Sequence, residues 1–289
     1  MLFSTRPDWA REGRDWPNRE ASRFVAAGGL RWHVQVMGQG PVMLLVHGTG
    51  AATHSWRDLA PLLAPRYTLV MPDLPGHGFS EPLPRPTLPQ MARVLAALVK
   101  VLDLPPAVTV GHSAGAAILA QAALDGGIKP EVVVALNGAF LPFREGQGEF
   151  LSGLAKLLVM NPVVPRIFSL TASDPRSVEK LVRDTGSRLD KPGLELYRRL
   201  LRQPAHVQGA LAMMANWDLH PLLRDLPRLP CRLVLVAAGA DKAIPPSQAQ
   251  RVHGLVPGSV VEPLPGLGHL AHEEAPHLVA GLVERYAGV

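Results

Sequence analysis

Residues 111–115 read Gly-His-Ser-Ala-Gly, one hydroxyl set between two glycines. The run before it, Ala107-Val108-Thr109-Val110, is apolar and strand-like, and Ala114–Ala123 after it is Ala-rich and helix-like. A serine attacks a carbonyl carbon only if it stands clear of the sheet on a sharp turn, and G-x-S-x-G between strand and helix builds that turn. The glycines let neighbouring backbone approach closely. Free N–H groups at the helix start face a developing oxyanion. The expected chemistry is acyl transfer through a serine ester on Ser113.

The second oxyanion donor should come from a loop after another strand. Val42–Val46 is a short apolar run ending in His47-Gly48-Thr49-Gly50. We assign one donor to the Thr49 N–H and the other to the Ala114 N–H; the alternative is a plain glycine turn. An acid and then a base should follow Ser113 in the chain. Asp241 follows the strand-like run Leu233–Ala237, at the sheet edge where α/β proteins bind ligands. His269 lies in the loop after Val260–Leu264. In this reading His269 takes the Ser113 proton and returns it to the leaving group, while Asp241 fixes the imidazole tautomer.

The chain has 11 histidines, so rivals need weighing. His272 is the serious one, close after His269. The side chain of His112 should point away from Ser113, and His47 braces the oxyanion loop. The alternative acid position, after Val132–Leu136, holds Asn137 and Gly138 and offers no carboxylate. Asp73, in a glycine-rich turn, reads as a turn-stabilising aspartate. His269, His272, Glu273 and His277 lack the H-E-x-x-H spacing, so no metal is expected. Acyl transfer needs no organic cofactor either.

These residues demand a particular scaffold. Arg23–Val36 reads as a hairpin broken at Gly28-Gly29, after which strands and helices alternate: Val42–Val46, a helix around Trp56–Leu63, Tyr67–Met71, a helix around Gln90–Leu102, then the Ser113 unit. Such alternation means a mostly parallel sheet covered by helices. It fails between about Leu141 and Pro227, where helical stripes take over: Phe150, Leu154, Leu157 and Leu158, then Leu194, Tyr197, Leu200 and Leu201. Asp174-Pro175 is a helix start, and Pro204 opens a last helix carrying Val207, Leu211, Met213 and Met214. The expected organisation is a core of residues 1–140 and 228–289 with a helical lid, 141–227, over Ser113. Met213 and Met214 either line an adaptable apolar pocket or pack the lid down. Trp56 and Trp217 are weighed evenly as pocket walls or core.

Composition bounds the rest. At 289 residues, 47% hydrophobic and 18% charged, the chain can bury a large core, an aliphatic one because aromatics make up 5%. The single cysteine, Cys231, excludes an internal disulfide and fits a reducing, cytoplasmic setting. Met1–Arg14 lacks the apolar region of a signal peptide, and no run suffices to span a membrane. The net charge of +5 gathers at Arg6, Arg11, Arg14, Arg19 and Arg23 and again from Arg176 to Arg202. That pattern suits a solvated surface, anionic lipid or a carboxylated substrate. Acids interrupt both clusters and no nucleic-acid motif accompanies them, so nucleic acid is not an expected partner.

The chain resembles the α/β-hydrolases along nearly its whole length. Three more segments carry the likeness: Pro72-Asp73-Leu74-Pro75-Gly76-His77-Gly78-Phe79-Ser80, Asp241-Lys242-Ala243-Ile244-Pro245, and Gly268-His269-Leu270-Ala271-His272-Glu273. The resemblance implies an eight-stranded, mostly parallel sheet. A narrower one rests on Asp15-Trp16-Pro17-Asn18-Arg19, Gly29-Leu30-Arg31-Trp32-His33 and His47-Gly48-Thr49-Gly50-Ala51-Ala52-Thr53-His54-Ser55-Trp56. These are similar to the magnesium-chelatase accessory proteins of bacteriochlorophyll biosynthesis. That likeness implies a place in photosynthetic pigment synthesis, with an ester or acyl substrate such as a magnesium porphyrin. It also implies contact with magnesium chelatase and peripheral contact with the photosynthetic membrane. The alternative it leaves open is a hydrolase scaffold that binds porphyrin or chelatase without catalysis.

Overall fold

A computed structural model of the chain describes residues 7–142 and 163–288. Short runs rich in Val and Leu, too brief for helices and bounded by turns, become strands: β1 Ser22–Ala27, β2 Leu30–Met37, β3 Val42–Val46, β4 Thr68–Pro72, β5 Val108–His112, β6 Val132–Leu136, β7 Arg232–Ala238 and β8 Val260–Leu264. They form one eight-stranded sheet in the order β1-β2-β4-β3-β5-β6-β7-β8. From β4 to β8 every pairing is parallel; β2 runs antiparallel to both β1 and β4. The hairpin expected at Gly28-Gly29 is β1–β2.

Strand alternation sends side chains to two cores. Leu44, Val46 and Val70 pack against Met91, Leu95 and Ile118 of the helices Leu88–Leu102 and Ala114–Leu124. Met43, Leu45, Leu69 and Val110 face the other way, onto Leu59, Leu63, Val279 and Val283. The helix expected around Trp56–Leu63 is instead a 3₁₀ turn, Thr53–Trp56, followed by a single α-turn, Ala60–Leu63.

Between β6 and β7 the described residues form helices Val163–Thr171, Pro175–Asp184, Lys191–Leu201, Pro204–Ala215 and His220–Asp225. Pro204 therefore does not open the last of them. Asp174 caps its helix as expected, its carboxylate accepting the Arg176 N–H at 2.9 Å. The stripe of Phe150, Leu154, Leu157 and Leu158 lies outside the described residues. The inserted helices sit on the loops after the strands: Val178, Val182, Tyr197, Leu201 and Val207 share a cluster with Ala51 and Leu270.

The N-terminal stretch joins the two layers. Trp16 is buried among Ala52, Phe79, Leu196 and Leu200, and its indole N–H donates to Thr53 Oγ1 at 2.9 Å. Among the described residues no helix is long and apolar enough to cross a membrane.

Candidate active site

Ser113 occupies the junction of β5 and the helix Ala114–Leu124 with φ of 51°. A non-glycine residue there costs about 1–3 kcal/mol and persists only when its surroundings over-determine it. Here they do. The Ser113 N–H donates to Leu136 O at 3.0 Å, and the Ser113 carbonyl accepts from Ala116 N at 3.2 Å and Ala139 N at 3.0 Å. The flanking glycines make the turn possible. A Cβ on Gly115 would lie 2.1 Å from Val46 O, and one on Gly48 would lie 3.0 Å from Ser113 Cβ. Those contacts press the loop after β3 against the serine.

That loop is clamped by two histidines. The Leu74 N–H donates to His47 Nε2 at 2.9 Å, so His47 carries its proton on Nδ1 and donates to Gly48 O at 2.8 Å. The Gly78 N–H donates to His206 Nδ1 at 3.0 Å, so His206 donates from Nε2 to Gly50 O at 3.0 Å. Each ring uses both nitrogens as a neutral imidazole. Burial lowers the pKa of both, that of His206 to about 4. His206 belongs to the inserted helix Pro204–Ala215, and nothing in the sequence singled it out. Among the described residues, neither the Thr49 nor the Ala114 N–H donates to a protein acceptor.

His269, not His272, meets the acid. His269 Nδ1 lies 2.7 Å from Asp241 Oδ2, and Asp241 Oδ1 accepts from the N–H groups of Ala243 and Ile244, both at 2.8 Å. With Nδ1 turned to the acid, Nε2 is the nitrogen left for a reacting proton. Among the described residues no hydrogen bond joins it to the Ser113 hydroxyl; such bonds tighten when substrate arrives. His112 turns away from Ser113: its Nε2 donates to the His269 carbonyl at 2.9 Å, and its ring stacks between His269 and His272 at 4.7 and 4.5 Å. His272 is buried with Nε2 2.8 Å from Ser55 Oγ, and burial lowers its pKa to about 3.

Asn137 is the residue the sequence reading passed over. Its side-chain amide donates to Asp241 Oδ2 at 2.5 Å and to Gly268 O at 3.3 Å, tying the acid to the residue before His269. Asp73 holds a turn. Its carboxylate accepts from Thr53 N at 2.7 Å and Phe79 N at 2.9 Å and pairs with His33 Nδ1 at 2.7 Å. Burial alone would raise its pKa, but His33 and these bonds hold it below the usual carboxylate range.

The four expected pocket residues separate. Trp56 is fully buried with Leu59 and Leu63 and stacks on His272 at 4.8 Å, so it is core and not a pocket wall. Trp217 is half-buried against the main core. Met213 is fully buried, its sulfur accepting from Thr49 Oγ1 at 3.7 Å, whereas Met214 is 57% exposed. Neighbours on a helix diverge by about 100°, so the two methionines do not share an inner face. Cys231 precedes β7, and burial raises its thiol pKa to about 11.

Comparison with known proteins adds relatives to this geometry. The profile of the alpha/beta hydrolase family matches residues 43–282. The magnesium-chelatase 30 kDa subunit of Rhodobacter capsulatus is 36% identical over 273 residues, 93% of this chain and 95% of that one. A pimeloyl-[acyl-carrier protein] methyl ester esterase of Xylella fastidiosa is 28% identical over 251 residues, 82% of this chain and 91% of that one. Among solved structures, a thermophilic esterase from Thermogutta terrifontis superposes with a TM-score of 0.73 at 22% identity, covering 92% of this chain and 97% of that one.

Proposed function

The chain belongs to the alpha/beta hydrolase family, and we propose that within it the protein is a serine hydrolase of an ester or related acyl bond. The observation that carries this is the His269–Asp241 bond on the loops beside Ser113, a serine in a strained turn. Ser113 Oγ attacks the acyl carbon and His269 Nε2 takes its proton. The oxyanion is held by the N–H groups of Thr49 and Ala114. The leaving alcohol departs with the proton from His269. Water, deprotonated by the same nitrogen, then cleaves the serine ester and releases the acid. Asp241, itself held by Asn137, keeps the imidazole in the working tautomer.

The pathway role follows the Rhodobacter capsulatus relative: service to bacteriochlorophyll synthesis alongside magnesium chelatase, on a magnesium porphyrin or its methyl ester. Contact with the photosynthetic membrane through the basic clusters belongs to the same proposal. The test is a fluorophosphonate probe with mapping of the modified residue. Label on Ser113, absent in Ser113→Ala, is expected; label elsewhere, or none, refutes the chemistry. Tryptophan quenching by magnesium protoporphyrin and its methyl ester tests the substrate class, and absence of binding by either removes it.

A second reading has one observation in its favour: that relative is named as a subunit, an assembly role. In this reading the scaffold binds pigment or chelatase and Ser113 is dispensable. Pigment formation that survives Ser113→Ala supports it, and loss of pigment supports catalysis.

A further inference from the structure

The inserted helices grip both loops that carry the acid and the base. A Cβ on Gly186, whose φ is +91°, would lie 1.9 Å from Ala240 O, and the Lys242 N–H donates to Thr185 O at 3.0 Å. The Leu270 N–H donates to Ser187 Oγ at 2.8 Å. A third tie is side chain to side chain. Glu273 Oε1 accepts from Tyr197 Oη at 2.7 Å and from Ser55 Oγ at 2.6 Å. Tyr197 lies on the inserted helix Lys191–Leu201, Ser55 on the turn after the Thr49 loop, and Glu273 four residues after His269.

This carboxyl is in an unusual position. It is buried, and its Oε2 has no partner. The groups facing it from every side supply no charge-matching bond. His272 is at 3.9 Å and neutral, its Nε2 proton directed to Ser55. His54, whose ring stacks edge-on against Tyr197 at 4.6 Å, has both nitrogens unpartnered, and burial lowers its pKa. The Arg57 guanidinium bonds Asp58 at 2.7 Å and Asp190 at 2.5 Å, and its remaining Nη1, buried and unpartnered, makes no bond to the carboxyl. A buried carboxyl without a bonded cation favours its uncharged form.

We propose that Glu273 is a proton-controlled tie between the inserted helix Lys191–Leu201 and the loop bearing His269, closed when the carboxyl is uncharged and released when it is charged. Its consequence for turnover rests on His269 being the base, as proposed above. Release would shift Ala271–Glu274 and with it the stack of His272 and His112 that backs His269. Burial, set against the Ser55 and Tyr197 hydrogen bonds, raises the Glu273 pKa to about 7, which places the transition near neutrality.

Hydrogen exchange of the full chain tests this without reference to catalysis. Protection of residues 191–201 and 271–274 is measured at pH 5.5 and 8.5 in the parent and in Glu273→Gln, whose amide oxygen keeps both hydrogen bonds. The ratio of variant to parent protection is expected to rise roughly 30-fold between the two pH values. A constant ratio overturns the proposal. Tyr197→Phe is the independent check: it removes a bond made only while the tie is closed, so its loss of protection is larger at pH 5.5. An equal loss at both values also overturns it. Fluorophosphonate labelling run alongside separates the two readings, since an unlabelled Ser113 with the exchange pattern intact fails the hydrolase reading and supports the tie.

Discussion

Replacing His206 with glutamine removes a titration and keeps a clamp. Glutamine can accept the Gly78 N–H and donate to Gly50 O, as the imidazole does. The parent ring has a pKa lowered to about 4 from the ordinary 6.5, chiefly by burial. A base with a depressed folded pKa contributes stability that is fully present above 6.5 and is lost as pH falls toward 4. Protonated Nδ1 would face the Gly78 N–H, donor against donor. The complete loss is on the order of 3 kcal/mol, and at pH 5 about 2 kcal/mol of it is already gone. The assay is urea unfolding at pH 8 and pH 5. The parent should lose about 2 kcal/mol more than His206→Gln between the two, a shift on the order of 5 °C in Tm. Equal losses would show that His206 is not the neutral clamp its two hydrogen bonds describe.

Gly186→Ala should destabilise by several kcal/mol, because its Cβ meets Ala240 O at 1.9 Å in a left-handed backbone; calorimetry that finds less than about 1 kcal/mol refutes that contact. Met213→Ala should cost about 2–5 kcal/mol in denaturant unfolding, while Met214→Ala should stay within about 0.5, since only the first is buried. Asn137→Ala should lower kcat more than it raises KM on an activated ester, by freeing Asp241; a change confined to KM would remove it as a positioning residue.

Much of the candidate site is legible in the sequence because its signals are local. Ser113, Asp241 and His269 each follow a short apolar run, and a loop after a parallel strand can reach only one edge of the sheet. The residues left open between pocket and core depend on facing, which periodicity could have supplied. Trp56, Leu59 and Leu63 fall at helical spacing and mark a buried stripe. Met213 and Met214 are consecutive, so one helix face cannot hold both. Asn137 was harder. Read as a missing carboxylate, it gains its role only because Leu136 pairs with Val236, which brings the end of β6 beside the Asp241 loop. Gly186 and Ser187 carry no motif at all, and their contacts exist only once the insertion is seated.

Two opposing titrations act on the stability of this site. The six buried histidines His47, His54, His77, His112, His206 and His272 have lowered pKa values and favour higher pH. Glu273, raised to about 7, does the reverse: its contribution is full below about 4.5 and is lost as pH rises through 7. From pH 8 to 5, His206 and His272 together remove about 4 kcal/mol while Glu273 returns less, roughly 2–3, so the histidines win even before the other four are added. Parent stability should therefore climb through pH 6.5 and flatten above about 7. Glu273→Gln should lift that plateau by about 3 kcal/mol and leave the pH 4 value nearly unchanged. Urea unfolding of both proteins across pH 4 to 8.5 measures the two curves. A parent curve that falls between pH 5 and 8 would mean that the imidazoles are not held neutral, and the clamp assigned to His47 and His206 would fail with them.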